Sequence, residues 1–299
     1  MTSTQFDVRG QSYGSIILPL ACQEKSKLYD RVFVKPSEEI EGKTFYQDQI
    51  GTWTMKAKTS VNAKTPQNDP NLSRTRIDIQ TFNDARTFDR SLELQAFADP
   101  VNVASVCLQS AIGVTLDTLI YSALGGTTYR GEIGAASVSF PAGKTIPVNM
   151  DDGATNTGLT VKKIRRANKI LDDKNVPSSD RTFLASATAK EQLLGTTQVT
   201  SSDYNNVKAL VNGDVDTFMG FKFVFLSSDI IVPSSNIADY FAFHKTGLAL
   251  GMLEELFLRI DERKDLSYAK QVYYEFSGGA GRLEEAKVIK IKGDETVVV

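Results

Sequence analysis

The feature that most limits the fold is a long helix with a clear signal at each end. Asp99 and Pro100 suit the N-cap and first helical positions, and Gly125-Gly126 is a typical stop. About 25 residues at 1.5 Å each span roughly 37 Å. The apolar residues form two stripes: Val103, Cys107, Ala111 and Val114, and Leu108, Ile112, Leu116, Leu119, Ile120 and Ala123. We therefore expect a spine helix that is contacted from more than one side.

A long β-hairpin is predicted before this helix. Residues 53–61 alternate in polarity, breakers fill 65–71, and alternation resumes over 75–81. A two-stranded hairpin is marginal alone in water, so its apolar stripe needs a cover. One hypothesis is that the hairpin packs on another subunit; folding back on its own domain remains an equal alternative. The candidate inter-subunit contacts are Trp53, Met55, Val61, Ile77 and Ile79.

The remaining chain is predicted to mix helices and strands, so the fold class is α+β. The expected helices are a short one at 21–29, one at 161–173 with Thr160 as N-cap, and short ones at 188–194 and 202–211. The expected strands are 91–97, 182–185, 221–226, 240–250, 255–260, 269–276 and 287–291. Gly220 is interpreted as a bulge or close backbone approach, and 277–281 as a turn between strands.

Composition excludes several classes of protein. The 299 residues have 41% hydrophobic and 23% charged content, as in soluble globular proteins. A net charge of −2 does not suggest nucleic-acid capture by the whole surface. No apolar run or leader pattern predicts a membrane span or secretion signal, so we expect a soluble protein made in the cytoplasm. Cys22 and Cys107 are expected to be small buried residues in a reducing interior.

No candidate catalytic, cofactor-binding or metal site emerges from the sequence. The single histidine, His244, excludes multi-histidine metal sites and is expected to be structural. Ala142–Thr145 imitates the end of a phosphate-binding loop, but Val138 replaces its first glycine and Pro147 would interrupt the following helix. The carboxylate pairs are adjacent in sequence, which does not bring their side chains together. We therefore expect no enzymatic activity.

A basic cluster lies on the helix predicted at 161–173. Lys162, Lys163, Arg165 and Arg166 project away from its apolar stripe, and Asp172-Asp173 partly offset them. This arrangement favours a solvated face over a nucleic-acid site.

The order of these elements resembles the major capsid proteins of tailed bacteriophages, with the Hong Kong 97-type fold. Three stretches are similar to that family: residues 159–177 with Arg181 after them, residues 213–228 around Gly220, and residues 278–289. The resemblance implies an N-terminal arm at 1–45 and an extended hairpin loop at 46–85. It also implies a peripheral domain with the spine helix at 86–126 and 252–299, and an axial domain at 127–251.

The resemblance implies a structural protein whose copies form pentamers and hexamers and close an icosahedral shell around double-stranded DNA. Its location would be the virion. The implied partners are a separate scaffolding protein, a portal and a decoration protein, with no cofactor and no membrane. Alternatives are an encapsulin-type nanocompartment shell, a nucleotide-binding enzyme using Ala142–Thr145, and a monomeric binding module with the hairpin as its recognition arm.

Overall fold

The computed structural model describes residues 26–35, 42–51, 53–62, 64–65, 72–88, 100–150, 153, 155–195 and 217–297. Among these residues the helices are α1 (Pro100–Gly125), α2 (Val161–Asp172) and α3 (Ala187–Gly195), with four short 3-10 turns. The first seven strands are β1 (Phe33–Lys35), β2 (Thr44–Ile50), β3 (Leu72–Asp78), β4 (Gln80–Phe88), β5 (Thr128–Arg130), β6 (Ala136–Val138) and β7 (Thr145–Ile146). The others are β8 (Arg181–Ser186), β9 (Thr217–Phe218), β10 (Phe221–Leu226), β11 (Ile237–His244), β12 (Leu248–Arg263), β13 (Ala269–Arg282) and β14 (Val288–Asp294).

The strands form three sheets. The six-stranded sheet has the order β7-β14-β11-β8-β10-β9 and holds most of the core, with α2 and α3 packed on it. The long-strand sheet has the order β1-β12-β13-β4 and carries α1. The hairpin sheet has the order β2-β3-β5-β6. The mixture confirms the α+β class.

The hairpin sheet and the long-strand sheet share one continuous segment of chain. Residues 72–88 bend at Ile79, so that β3 pairs with β2 while β4 pairs with β13. At this bend the backbone crosses close over β13: a Cβ on Gly279 would lie 2.3 Å from the Asp78 carbonyl oxygen. Residues 277–281 are therefore inside a strand, and their prediction as a turn was wrong because a backbone crossing, not a reversal, requires the glycines.

Sheet membership crosses the boundaries that we expected for the domains. β5 and β6 fall in the range expected to be axial, yet they extend the hairpin sheet. β14 falls in the range expected to be peripheral, yet it lies between β11 and β7 in the six-stranded sheet.

Several predicted elements are confirmed, because their signals are local. The spine helix ends at Gly125, α2 begins after Thr160, whose hydroxyl accepts a bond from the Lys163 amide, and β8 and α3 lie where expected. The predicted strand at 91–97, the helix at 202–211, Cys22 and Asp99 lie outside the described residues.

Three local predictions were wrong. The described residues between 53 and 62 are not a strand; the partner of β3 is β2, at 44–50. Residues 26–28 of the expected arm helix are irregular, and a 3-10 turn begins at Tyr29. Gly220 has nothing within 4 Å of an added Cβ, so it marks no close approach. It follows Met219 in the link between β9 and β10, and both residues have positive φ (81° and 52°), as a tight hairpin turn requires.

None of the helices in the described part of the chain is long and apolar enough to cross a membrane.

Candidate assembly surface

The base of the hairpin is packed against its own subunit. Phe45 and Ile77 form a small buried cluster with Ala249 and Leu283, and Ile79 packs against it. Ile77 is only 2% exposed, so its side chain is not available to a neighbouring subunit. Ile79 is half-buried at the bend.

The far end of the hairpin has the opposite character. Trp53 is 72% exposed, Val61 86%, and Met55 is fully exposed. Ile50 and Leu72, the last cross-strand pair before the loop, are also largely exposed. Large apolar side chains on this loop therefore leave much apolar surface in water, a feature that is common at interaction sites. Of the five sequence candidates, the structure therefore groups Trp53, Met55 and Val61 at the tip and separates Ile77 and Ile79 from them.

A second exposed apolar surface lies at the far end of the β12–β13 hairpin, and the sequence reasoning missed it. Its members are Phe257, Leu258, Ile260, Leu266 and Tyr268, while Leu253 is exposed nearer the start of β12. In the antiparallel pairing of β12 with β13, Leu258 lies opposite Tyr274 and Ile260 lies opposite Val272. The apolar residues at 257–260 were recognised as a strand, but the sequence gave no indication that the described part of the subunit would leave them exposed.

The arm is fastened to the spine helix by a buried carboxylate. Asp117 lies on α1 and accepts bonds from the Ser26 hydroxyl (2.6 Å) and from the amides of Lys27 and Leu28 (both 3.1 Å). Burying a carboxylate is tolerated because these donors replace water. The available signal was a single acidic residue within an apolar helix.

Arg181 organises the exit from α2. Its guanidinium is 2% exposed and donates to the carbonyl oxygens of Val176 and Pro177, to Asn168 Oδ1, and to Asp172 Oδ1 at 2.7 Å. The stretch from Asn168 to Arg181 is therefore one folded unit around a single guanidinium. This geometry gives a physical reason for a segment that carried the sequence resemblance.

Lys163 departs from the expected basic face. Its side chain is buried, and Nζ lies 2.8–3.0 Å from the carbonyl oxygens of Val148, Thr157, Gly158 and Lys292. This ammonium therefore ties α2 to the loop before it and to β14, and it does not project into solvent.

The outer face of α2 is nevertheless strongly basic. Lys162, Arg165, Arg166 and Lys169 are exposed and spaced so that they share one side of the helix. Asp172 forms an ion pair with Arg181, so its negative charge neutralises the basic face of α2 less than the sequence suggested.

Lys144 lies near the residues that follow α2, where Lys174 and Asp173 both act on it. Burial lowers the pKa of Lys144 below its ordinary value, and the charge of Lys174 lowers it further. The basic face of α2 belongs to a chain whose net charge is slightly negative.

The residues that the sequence offered for catalysis or ligand binding have surroundings typical of structural roles. His244 Nδ1 accepts from the Thr246 amide at 3.2 Å, and burial lowers the pKa of its imidazole. Ala142–Lys144 is a 3-10 turn followed by β7, not the helix that a phosphate-binding loop needs. Cys107 is an exposed free thiol, so its expected burial was wrong. Across the described residues, no three His, Cys, Asp or Glu side chains are grouped to hold a metal ion.

Comparison with known proteins gives a consistent result. Residues 11–295 match the family model described as phage capsid protein. No curated protein sequence matches the chain.

Solved structures of similar fold cover nearly the whole chain. The structure described as Mycobacterium phage Che8 is 14% identical with a TM-score of 0.68, covering 98% of this chain and 100% of that one. The capsid of Ralstonia phage GP4 is 13% identical with a TM-score of 0.71, covering 98% of both chains. The head structure of Helicobacter pylori bacteriophage KHP40 is 11% identical with a TM-score of 0.70, covering 99% of both.

Proposed function

Since the chain belongs to the phage capsid protein family, we propose that many copies of it close the icosahedral head shell of a tailed bacteriophage. The protein is a structural shell protein of the virion with the Hong Kong 97-type fold. Synthesis in the host cytoplasm, grouping into pentamers and hexamers, and lack of enzymatic activity are parts of the proposal.

The exposed apolar tip of the hairpin is the single observation that carries this proposal. Trp53, Met55 and Val61 are held away from the subunit core by a base that is itself well packed. A free subunit gains nothing from such a tip, whereas a subunit that covers its neighbour buries it.

The second apolar surface supplies a place for such a contact. We propose that the hairpin tip of one subunit lies over the β12–β13 end of the next. Such a contact joins two different surfaces, so repetition closes a shell only when the rotation between subunits is fixed.

We propose double-stranded DNA as the content of the shell. The basic face of α2 can contact phosphates without reading bases. Four such contacts give a slope of log affinity against log salt of about −3 to −4. Replacing Lys162, Arg165, Arg166 and Lys169 with glutamine should remove that slope in a duplex-binding assay. The matched control replaces Lys56, Lys58, Lys64 and Lys264, which are equally exposed cations, and should keep it.

A separate scaffolding protein, a portal and a decoration protein complete the proposed partners. The encapsulin-type shell is not favoured, because the matching family is that of phage capsid proteins. Particle size and the ratio of nucleic acid to protein absorbance would distinguish the two kinds of shell.

The test is assembly of the purified subunit with a scaffold, followed by electron microscopy and sedimentation. Trp53→Ser, Met55→Ser and Val61→Ser together should abolish particles while leaving the urea midpoint of the subunit unchanged. The control, Ile133→Ser with Val232→Ser, removes exposed apolar side chains that lie outside both proposed surfaces. It should leave assembly nearly unchanged. Normal particles from the triple variant would contradict the proposal.

A further inference from the structure

Three parts of the subunit meet at one group of charged side chains. Arg130 is the last residue of β5 in the hairpin sheet, Arg282 is the last residue of β13, and Glu285 begins the 3-10 turn before β14. We call Arg130, Arg282 and Glu285 the junction triad.

Arg130 connects the hairpin sheet to the rest of the subunit. Its Nη2 lies 2.8 Å from Glu285 Oε2 and donates to the Leu283 carbonyl oxygen at 2.6 Å. This ion pair links the hairpin sheet to the turn before β14. Glu285 is therefore one of the contacts that set the orientation of the hairpin, beside the buried packing of Phe45 and Ile77.

Arg282 is fixed to the spine helix but has unused donors. It is fully buried, and its Nη1 donates to the carbonyl oxygens of Leu124 and Gly126, both at 2.9 Å, at the end of α1. The Phe140 ring lies 4.8 Å from its guanidinium carbon. Its Nε and Nη2 have no hydrogen-bond partner among the described residues, and neither has Glu285 Oε1.

One carboxylate thus faces two guanidinium groups and bonds only one of them. Glu285 Oε1 lies 4.0 Å from Arg282 Nε, which is wider than a hydrogen bond. Arg130 uses Oε2 and Arg282 faces Oε1, so release of Arg130 requires both oxygens to turn to the unpartnered Nε and Nη2 of Arg282 as a bidentate pair. The carboxylate has a cationic partner in either position, so Glu285 itself is never left as an unpaired charge.

We infer that Glu285 is a positioning residue that holds the hairpin sheet in one orientation through Arg130 and releases it by pairing with Arg282. This inference rests on the proposed function, because a shell built of one chain in non-equivalent positions needs a hairpin that can take more than one tilt. The exchange supplies two orientations of one subunit without unfolding.

The first experiment uses the unassembled full chain, so its result is separate from that of assembly. In Glu285→Gln, amide hydrogen exchange in β3 and β5 should be at least about tenfold faster, since the ionic link to the core is lost. The matched control is Asp239→Asn, which breaks a half-buried ion pair with Lys290 (2.8 Å) inside the six-stranded sheet. It should leave exchange in β3 and β5 unchanged. Equal exchange in both variants would overturn the inference.

The second experiment tests the exchange itself. In Arg130→Met the carboxylate should turn to Arg282, and the Arg282 Nε–H, followed by NMR, should become at least about tenfold slower to exchange with solvent. An unchanged Arg282 Nε–H would contradict the two-partner arrangement, even if Glu285→Gln failed to fold. Where both subunit results hold, particles of Glu285→Gln should show a broader range of diameters than wild-type particles. Glu285→Asp keeps the carboxylate, so its particles should regain part of the narrow wild-type distribution. A normal diameter distribution would overturn the role in positioning.

Discussion

Single residues with unusual backbone angles carry much of the local specificity. Gly220 has φ of +81°, and an added Cβ would meet no atom within 4 Å. The cost of a side chain there is therefore backbone strain alone. The hairpin turn at Met219-Gly220 starts the strand that places Phe223 against Phe183, with ring centroids 4.9 Å apart.

Gly220→Ala should destabilise the subunit by about 1–2 kcal/mol, because alanine is strained at positive φ. Gly143→Ala is the control, since Gly143 has equal space and no positive φ, and it should cost less than about 0.5 kcal/mol. Urea unfolding of both subunits measures the difference. Equal midpoints for the two variants would show that the turn does not need the left-handed region.

The single histidine makes a clean pH prediction possible. His244 Nδ1 accepts the Thr246 amide, which requires an unprotonated nitrogen, and burial lowers the pKa of the imidazole. The unfolded chain therefore binds a proton at higher pH than the folded chain does. Stability from this group is complete above the unfolded pKa of about 6.5 and is lost as pH falls toward the folded value.

Between pH 7.5 and 5, the contribution of His244 to the free energy of unfolding should fall by at most about 1.4 kcal/mol for each pH unit. His244→Gln should flatten the dependence, and NMR titration of the imidazole gives the folded pKa directly. An imidazole that titrates at or above 6.5 would contradict the role of burial.

At the scale of elements, the sequence predicted best what local chemistry decides. α1 and α2 were located by their caps and apolar stripes, and β8 by its buried run. The alternation at 53–61 resembled a strand, but the partner that β3 selects is decided by long-range packing of Phe45. Alternation alone could not distinguish a paired strand from an exposed loop.

Buried charged residues were the hardest features to predict. Lys163, Arg181 and Asp117 bond mainly or partly to backbone atoms, several of them far away in sequence. A sequence shows a charge but not the carbonyl and amide groups that surround it. For the same reason the junction between the hairpin sheet and α1 was invisible before the structure.

The hairpin loop can be removed without disturbing the strands that carry it. Ile50 and Leu72 are directly opposite each other, so an Asn-Gly turn can replace residues 51–71. The shortened chain should unfold within about 1 kcal/mol of wild type, because the described residues of the loop have no part in the buried clusters. It should nevertheless form no particles. Sedimentation and urea unfolding measure the two properties, and loss of both together would show that the loop belongs to the fold.

At the scale of the whole molecule, apolar and ionic features are separated in space. Buried charges join the arm, α2 and the junction inside the subunit, while exposed apolar side chains gather at the hairpin tip and at the end of β12–β13. The net charge of −2 leaves little general repulsion between copies. Association should therefore be driven mainly by burial of apolar surface.

This division predicts how assembly responds to temperature. Burial of apolar surface weakens on cooling and gives a negative heat-capacity change. At fixed concentration, light scattering should show more assembly at 30 °C than at 4 °C, and calorimetry should show an enthalpy that becomes more negative with temperature. Loss of the three tip side chains removes roughly 400 Å² of apolar burial, or about 0.2 kcal/mol/K per subunit. Trp53→Ser alone is the comparison to measure, since it should still assemble. Its heat-capacity change of assembly should be smaller than that of wild type, in proportion to the apolar area of the one side chain. An assembly enthalpy that is constant with temperature would mean that ionic contacts, not the apolar surfaces, hold the subunits together.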